Sequence, residues 1–340
     1  MKKLISYVLT CALALSVFVG CGANSAQISD EEVAAAGTDS EAISVVTTIF
    51  PEYDWVREIV GDNADVELTM LLDNGVDLHS YQPTAEDIMK IATCDVFIYV
   101  GGESDEWVED ALKEATNKDM QVVNLLDVLG SQVKEEEVVE GMEAEEEEEE
   151  GEEGEEGEEE EVEYDEHVWL SLKNTQTLVD AIAEAISAVD AAGADTYKAN
   201  AANYNSKLAD LDNQYEAAVS ASNVNTVLFG DRFPFRYLVD DYNISYYAAF
   251  VGCSAETEAS FETVKFLADK VDELGLKTVF TIENSDQKIA KTIIENTNSK
   301  DAQILTLNSM QSTTSSDVAS GATYLSIMEE NLKVLQEGLK

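Results

Sequence analysis

The chain contains only two histidines, and each sits in a short polar and aromatic frame that can place an imidazole: Asp77-Leu-His79-Ser-Tyr-Gln-Pro83 and Tyr164-Asp-Glu-His167-Val-Trp-Leu170. Imidazole titrates near neutrality and is the commonest side-chain nitrogen donor to metals, so two histidines framed in this way define a candidate cation site; the plain alternative for either is a surface or satisfied core residue. Charge points the same way. With 70 acidic against 20 basic residues the formal net charge is -50, so nucleic acid and anionic membrane surfaces repel this chain and cations are its natural small partners.

The elements that must carry these residues follow an α/β pattern. Ile43 to Phe50 is a β-branched run closed by Pro51, which predicts a strand, a turn and a helix near Glu52 to Val60. A short strand at Val66 to Leu72, the His79 loop, a helix over Ala85 to Ala92, a buried strand at Val96 to Val100, a helix over Trp107 to Ala115 and a strand at Val122 to Leu125 complete a first lobe. The apolar run ending at Gly101-Gly102 has the composition of a strand covered on both faces, and strands alternating with helices imply parallel pairing. Leu178, Ile182, Ile186, Val189, Tyr197, Tyr204, Leu208, Leu211 and Tyr215 then recur at three- and four-residue steps, which predicts one long helix or two, interrupted near Gly193. Strands at Val224–Phe229, Ile244–Phe250, Lys277–Ile282 and Ala302–Leu307 alternate with helices at Phe261–Leu274, Ile289–Asn296 and Ala322–Leu339 in a second lobe of the same style. The expected division is 43–172 for the first lobe, 173–222 for the helical segment and 223–340 for the second lobe.

Two segments stand outside this plan. Lys2 and Lys3, an apolar stretch from Leu4 to Val19 and Phe18-Val-Gly-Cys21 have the form of an export signal over residues 1–21, either a lipoprotein signal that leaves Cys21 lipidated, an ordinary cleaved signal or an uncleaved anchor. Residues 22–42 are small, polar and acidic, as a flexible tether is. Residues 135–163, nearly all glutamate and glycine from Glu143, cannot bury anything and are expected to be a disordered acidic loop, a solubilising spacer or a weak collector of cations. Of the remaining cysteines, Cys94 precedes an apolar strand and Cys253 lies in a Gly-Cys-Ser loop; no Cys-x-x-Cys spacing supports a zinc–thiolate cluster or redox motif, and pairing of the two is open.

In order along the chain, Phe50-Pro-Glu-Tyr-Asp-Trp55, His79-Ser-Tyr-Gln-Pro83, Gly101-Gly-Glu-Ser-Asp-Glu-Trp107, the acidic insert just before Asp165-Glu-His167, Arg236-Tyr-Leu-Val-Asp-Asp-Tyr242, Phe280-Thr-Ile-Glu283-Asn and the closing Gly321-x-x-Tyr-Leu-x-x-Met-x-x-Asn-Leu332 resemble the metal-specific solute-binding lipoproteins of ABC importers. The resemblance runs from Val45 to Lys340. It implies two α/β lobes with mostly parallel sheets, joined by a rigid linker helix, with Zn2+ held in the cleft between them and Mn2+ as the alternative cargo. It also implies extracytoplasmic location through a lipid anchor and delivery to an ABC permease driven by its ATPase, with no catalysis by this chain. His79 and His167 match the first two ligands, with Asp77 and Asp165 or Glu166 placed to orient their rings.

In the second lobe the chain departs from the pattern. Either Asp231 or Arg232 falls at the third ligand position, and Asp231 is the chemical choice because arginine does not ligate; its alternative is an ion pair with Arg232 or Arg236. Asn308 occupies the fourth position, which leaves it vacant or filled by water. Glu283, at the carboxyl edge of a parallel sheet, is the remaining carboxylate candidate, while Glu256 and Glu258 are expected to cap the helix at Phe261. The expected metal set is therefore His79, His167, Asp231 and Glu283. Two other readings are an extracytoplasmic metal-dependent hydrolase, for which the chain lacks His-Glu-x-x-His and Gly-x-Ser-x-Gly, and an adhesin or calcium buffer resting on the glutamate run alone.

Overall fold

Strand β1 (Ile43–Thr47) is the centre of a four-stranded parallel sheet. It pairs with β2 (Val66–Met70) on one side and β3 (Val96–Tyr99) on the other, and β3 carries β4 (Gln121–Asn124) at the far edge. Helices α1 (Phe50–Val60), α2 (Ala85–Thr93), α3 (Trp107–Lys113) and α4 (Leu125–Leu129) lie in the connections and after β4. Helix α1 starts two residues earlier than expected because Pro51 costs no hydrogen bond in a first turn and Glu52 folds back to accept the Thr48 and Ile49 amides at 2.9 and 3.3 Å. The computed structural model describes residues 42–143, 163–254 and 258–340. The expected leader, most of the tether and Glu256 lie outside them.

The helical segment expected over 173–222 is two helices. Helix α5 (Leu172–Val189) and helix α6 (Ala194–Ala221) meet at a turn in which the Asp190 carboxylate accepts the Ala192 and Gly193 amides. The second helix returns antiparallel to the first, so that Asn205 donates to the Gln176 carbonyl and the Asp180 carboxylate. Helix α5 covers the first sheet and belongs to that lobe. Helix α6 has partners in both lobes, and its 28 residues span about 40 Å. Near its start Asn200 donates to the Ile59 carbonyl at 2.9 Å, and toward its end Tyr215 donates to the Met328 carbonyl at 2.6 Å.

A second parallel sheet, in the order β6-β5-β7-β8, is built from β5 (Thr226–Phe233), β6 (Ser245–Val251), β7 (Thr278–Ile282) and β8 (Gln303–Leu307). Its helices are α7 (Arg236–Asp241), α8 (Phe261–Leu274), α9 (Lys288–Asn296), α10 (Ser315–Ala319) and α11 (Tyr324–Gly338). Ser260, not Glu258, caps α8 by accepting the Thr263 amide. The apolar core is continuous from the first sheet through α5 and α6 to the inner face of the second sheet, where Phe229, Phe280, Tyr324 and Met328 lie. A separate cluster fills the outer face. Shared core of this kind opposes independent movement of the lobes.

The acidic segment is more ordered at its base than its composition predicts. Glu136 donates its amide to the Glu163 carbonyl at 3.0 Å, Met142 is buried, and the Glu143 amide reaches Ala249 in β6 at 2.9 Å. Residues 135–143 are therefore part of the folded surface, because Val138, Val139 and Met142 interrupt the charge run with apolar surface; residues 144–162 lie outside those described. Among the described residues no helix is long and apolar enough to cross a membrane.

Candidate metal centre

Every residue of the candidate site lies near the carboxyl end of a parallel strand or on the segment leading into α5, the edge at which open α/β sheets collect ligands. His79 follows β2 in a short helical turn, Leu78–Ser80, whose start is fixed by Asp77 accepting the His79 amide at 3.2 Å. His167 immediately precedes the turn Val168–Leu170 and is fully buried. The two rings approach with their Nε2 atoms 3.2 Å apart.

Acceptors behind the rings set which nitrogen faces the cleft. The Asp165 carboxylate lies 3.0 Å from His167 Nδ1 and also accepts the His167 amide at 2.9 Å. Ser104 Oγ lies 2.6 Å from His79 Nδ1, with Glu166 Oε2 behind it at 3.6 Å. The Asp165 carboxylate can only accept, which puts the proton on His167 Nδ1 and turns its Nε2 lone pair to the cleft; the Ser104 hydroxyl can accept or donate, and when it accepts, His79 takes the same tautomer. Burial, with smaller contributions from His167 and Arg232, holds His79 well below its ordinary titration range, so it stays neutral and able to coordinate. Burial also pushes the Glu166 carboxyl up to about 8, although the Ser104 hydroxyl and amide oppose it. Glu166 Oε2 is buried without a hydrogen-bond partner.

Of the four expected ligands the structure brings His79 and His167 together and leaves Asp231 and Glu283 outside the cluster. Among the described residues, the metal-competent group whose donor atoms all lie within 4.8 Å of one another is His79, His167 and Cys253. Asp231 is turned into its own lobe, accepting the amides of Arg232 at 3.0 Å and Ile282 at 3.4 Å. The ion pair anticipated between Asp231 and Arg232 or Arg236 is also absent: Arg232 reaches across the cleft to Asp77, and Arg236 binds Glu137 and Asp240. Glu283 has both oxygens engaged by the loop after β8, accepting the Ser309 amide at 2.6 Å, the Ser309 hydroxyl at 2.8 Å and the Gln311 amide at 3.2 Å. Asn308 shapes that loop, its Oδ1 accepting the Met310 amide and its backbone pairing with the Asn331 side chain.

Two residues that sequence reasoning did not assign to the site occupy it instead. Gln311, which Glu283 positions, is 3% exposed and aims its amide nitrogen at both imidazoles, hydrogen-bonding His167 and lying 3.4 Å from His79 Nε2. Its amide oxygen is buried without a partner. Cys253 arrives on the turn after β6, where Gly252 packs so close to the His167 ring that a Cβ there would lie 2.9 Å from Cε1. Cys94 and Cys253 are not joined to each other: Cys94 is buried at the end of α2, where burial pushes its thiol up to about 12. The Gly-Cys-Ser spelling was the available signal for Cys253, but only the fold shows that β6 delivers it to the histidines.

The His167 segment is clamped from the second lobe as well. Trp169 donates its indole N–H to the Ser309 carbonyl at 2.8 Å, and Tyr237 and Tyr324 donate to the carbonyls of Asp165 and Trp169 at 2.8 and 2.6 Å. Asp165→Ala is expected to let the His167 ring turn and to weaken divalent-metal binding about 10–100-fold, the usual cost of losing such a partner, with little change in fold. Calorimetric titration of the variant beside the parent chain checks this.

Comparison with known proteins places this geometry in a lineage. The zinc-binding lipoprotein AdcA of Streptococcus pneumoniae (strain ATCC BAA-255 / R6) is 32% identical over 301 residues, covering 87% of this chain and 55% of AdcA. The chain thus spans about half the length of that relative. The high-affinity zinc uptake system protein ZnuA of Bacillus subtilis (strain 168) is 28% identical over 308 residues, 90% of each chain. Among solved structures, the Zn(II)-bound ZnuA-like domain of Streptococcus pneumoniae AdcA superposes with a TM-score of 0.67 at 26% identity over 87% of this chain and 98% of the domain. The metal-dependent lipoprotein YcdH of Bacillus subtilis gives 0.69 at 25% identity, over 87% and 99%. A family model described as zinc-uptake complex component A, periplasmic, matches residues 45–338, and the chain belongs to that family.

Proposed function

We propose that this protein captures Zn2+ outside the cytoplasm, held to the membrane by a lipid on Cys21, and hands it to an ABC permease powered by its ATPase. The observation that carries the reading is the pair of Nε2 atoms 3.2 Å apart, each ring held at its other nitrogen by Ser104 or Asp165 so that Nε2 can offer a lone pair to the cleft. Two facing lone pairs repel unless something positive lies between them. In this structure the Gln311 NH2 fills that role as a partial positive charge, and a divalent cation does so far better. The spacing suits zinc: with Zn–N bonds of about 2.0–2.1 Å, two corners of a tetrahedron lie roughly 3.3–3.4 Å apart. Manganese, which prefers carboxylate and carbonyl oxygen, is the weaker alternative at two imidazoles.

Release in this reading comes from perturbation of the cleft by the permease, because the shared core, α6 and the clamps around Trp169 oppose wide opening of the lobes. The test is competitive titration of metal-stripped protein with zinc and manganese, beside the His79→Ala/His167→Ala double variant and a chain lacking residues 144–162. One tight zinc site per chain, lost in the double variant and kept after the deletion, is expected. Binding that follows the glutamate run and ignores the histidines overturns the receptor reading in favour of an acidic cation buffer.

A further inference from the structure

We infer that Cys253 is the third protein ligand, so that the site presents two imidazole nitrogens and a thiolate where the family pattern led us to expect carboxylates. The inference rests on the receptor reading above and specifies its chemistry. Sγ of Cys253 lies within 4.8 Å of both histidine donors, and no carboxylate among the described residues joins that cluster. A sulfur–nitrogen edge of a tetrahedral zinc site is about 3.5 Å, so the Cys253 turn has at most about 1.3 Å to close. Asp231 and Glu283 have farther to go in a different sense, since each must first give up the backbone amides it holds.

Three further observations favour a donor at this place. Gln311 is buried, aims its amide into the same point and leaves its oxygen without a partner, which marks a polar position that the protein alone does not complete. With that amide turned, its oxygen would face the two imidazoles in place of its nitrogen. Gly252 lets the turn lie against the His167 ring, and any side chain there would push Cys253 away. Finally, Arg232, one of the two residues that can fall at the third position of the family pattern, places a guanidinium near His79 and is paired with Asp77. Two imidazole nitrogens bring no negative charge to a metal; a thiolate does. On binding, the thiol proton leaves to solvent and the sulfur lone pair enters the metal.

A thiolate also sets selectivity, because sulfur suits zinc and cobalt and disfavours manganese. The experiment loads the full chain with Co(II), then with zinc against a chromogenic chelator, and compares it with Cys253→Ser. Cys11, Cys21 and Cys94 are present in both proteins, so their contribution cancels in the difference spectrum. Expected are a near-ultraviolet sulfur-to-cobalt charge-transfer band in the parent that is missing from Cys253→Ser, and zinc affinity in the variant reduced by more than the roughly 10–100-fold that an outer partner costs. Retained, weaker zinc binding in the variant, abolished by adding His79→Ala, shows that the fold survives. Tight Co(II) binding with an identical spectrum in both proteins overturns the thiolate and leaves the receptor reading standing. No tight metal in either protein overturns both.

Discussion

Trp169→Ala is expected to cost about 3–5 kcal/mol of stability, the range for emptying a large buried aromatic site. The indole is fully buried, and its ring lies 5.2 Å from that of His167. Its N–H is the donor to the Ser309 carbonyl across the cleft, so the substitution also leaves that carbonyl short of a partner. Both consequences fall on the metal centre, because Ser309 is held by Glu283 and leads to Gln311. Urea unfolding of the metal-free variant should show the lost stability. Zinc titration should show weaker binding even where the variant is fully folded, and a folded variant with unchanged affinity would mean that the cross-cleft clamp does not position the histidines. Trp169→Phe refills much of the cavity without the N–H and should recover more stability than affinity.

Between about pH 3 and about pH 8 the metal-free protein is expected to lose about 3 kcal/mol at each of Asp54 and Asp105 relative to the Asp54→Asn/Asp105→Asn variant. Burial lifts both carboxyls from an ordinary 3.8 to about 6, although the Tyr324 amide and Arg57 oppose this at Asp54 and the Gly101 and Val100 amides oppose it at Asp105. A carboxyl whose folded value is raised keeps a proton that the unfolded chain gives up. Its contribution is complete below the unfolded value and is lost as pH rises through about 6. His79 acts in the opposite direction: held below its ordinary 6.5, it contributes above that value and is lost as pH falls. Comparing the parent with the asparagine variant cancels the histidine, since both proteins keep it. Chemical unfolding at several pH values measures the difference, and parallel profiles for the two proteins would show that these carboxyls are ionised at little cost.

These carboxyls also give the early motif its physical meaning. Asp54 accepts the Tyr324 amide at 2.8 Å at the start of α11, and Trp55 packs edge-on against the Tyr324 ring at 5.4 Å. Phe50-Pro-Glu-Tyr-Asp-Trp55 and the closing Gly321-x-x-Tyr324 are thus two halves of one contact between lobes. Glu52, buried beside them, is pushed well above its ordinary range by burial and by Asp105. Neither motif contributes a residue to the cluster of His79, His167 and Cys253. Their resemblance to the family carried information about how the lobes are joined.

The sequence by itself determined the class of fold and, of the candidate site, the two histidines. Apolar runs bounded by glycine, proline and polar turns placed each strand to within a few residues, because a parallel sheet covered on both faces demands continuous β-branched and aromatic segments. Apolar spacing and the break at Gly193 left one helix or two, since a short turn between amphipathic helices hardly disturbs the periodicity; packing decided two. His79 and His167 were legible because their flanking residues are their own supports: Asp77 fixes the turn at His79, and Asp165 fixes the ring of His167. The second lobe offered no such local cue. Whether Asp231, Glu283 or Cys253 faces the histidines depends on which groups take up the backbone amides at the ends of β5, β7 and β8, and that is decided by contacts between residues tens of positions apart. Asp231 and Glu283 are spent on those amides, and Cys253 and Gln311 are brought to the imidazoles by the ends of β6 and β8.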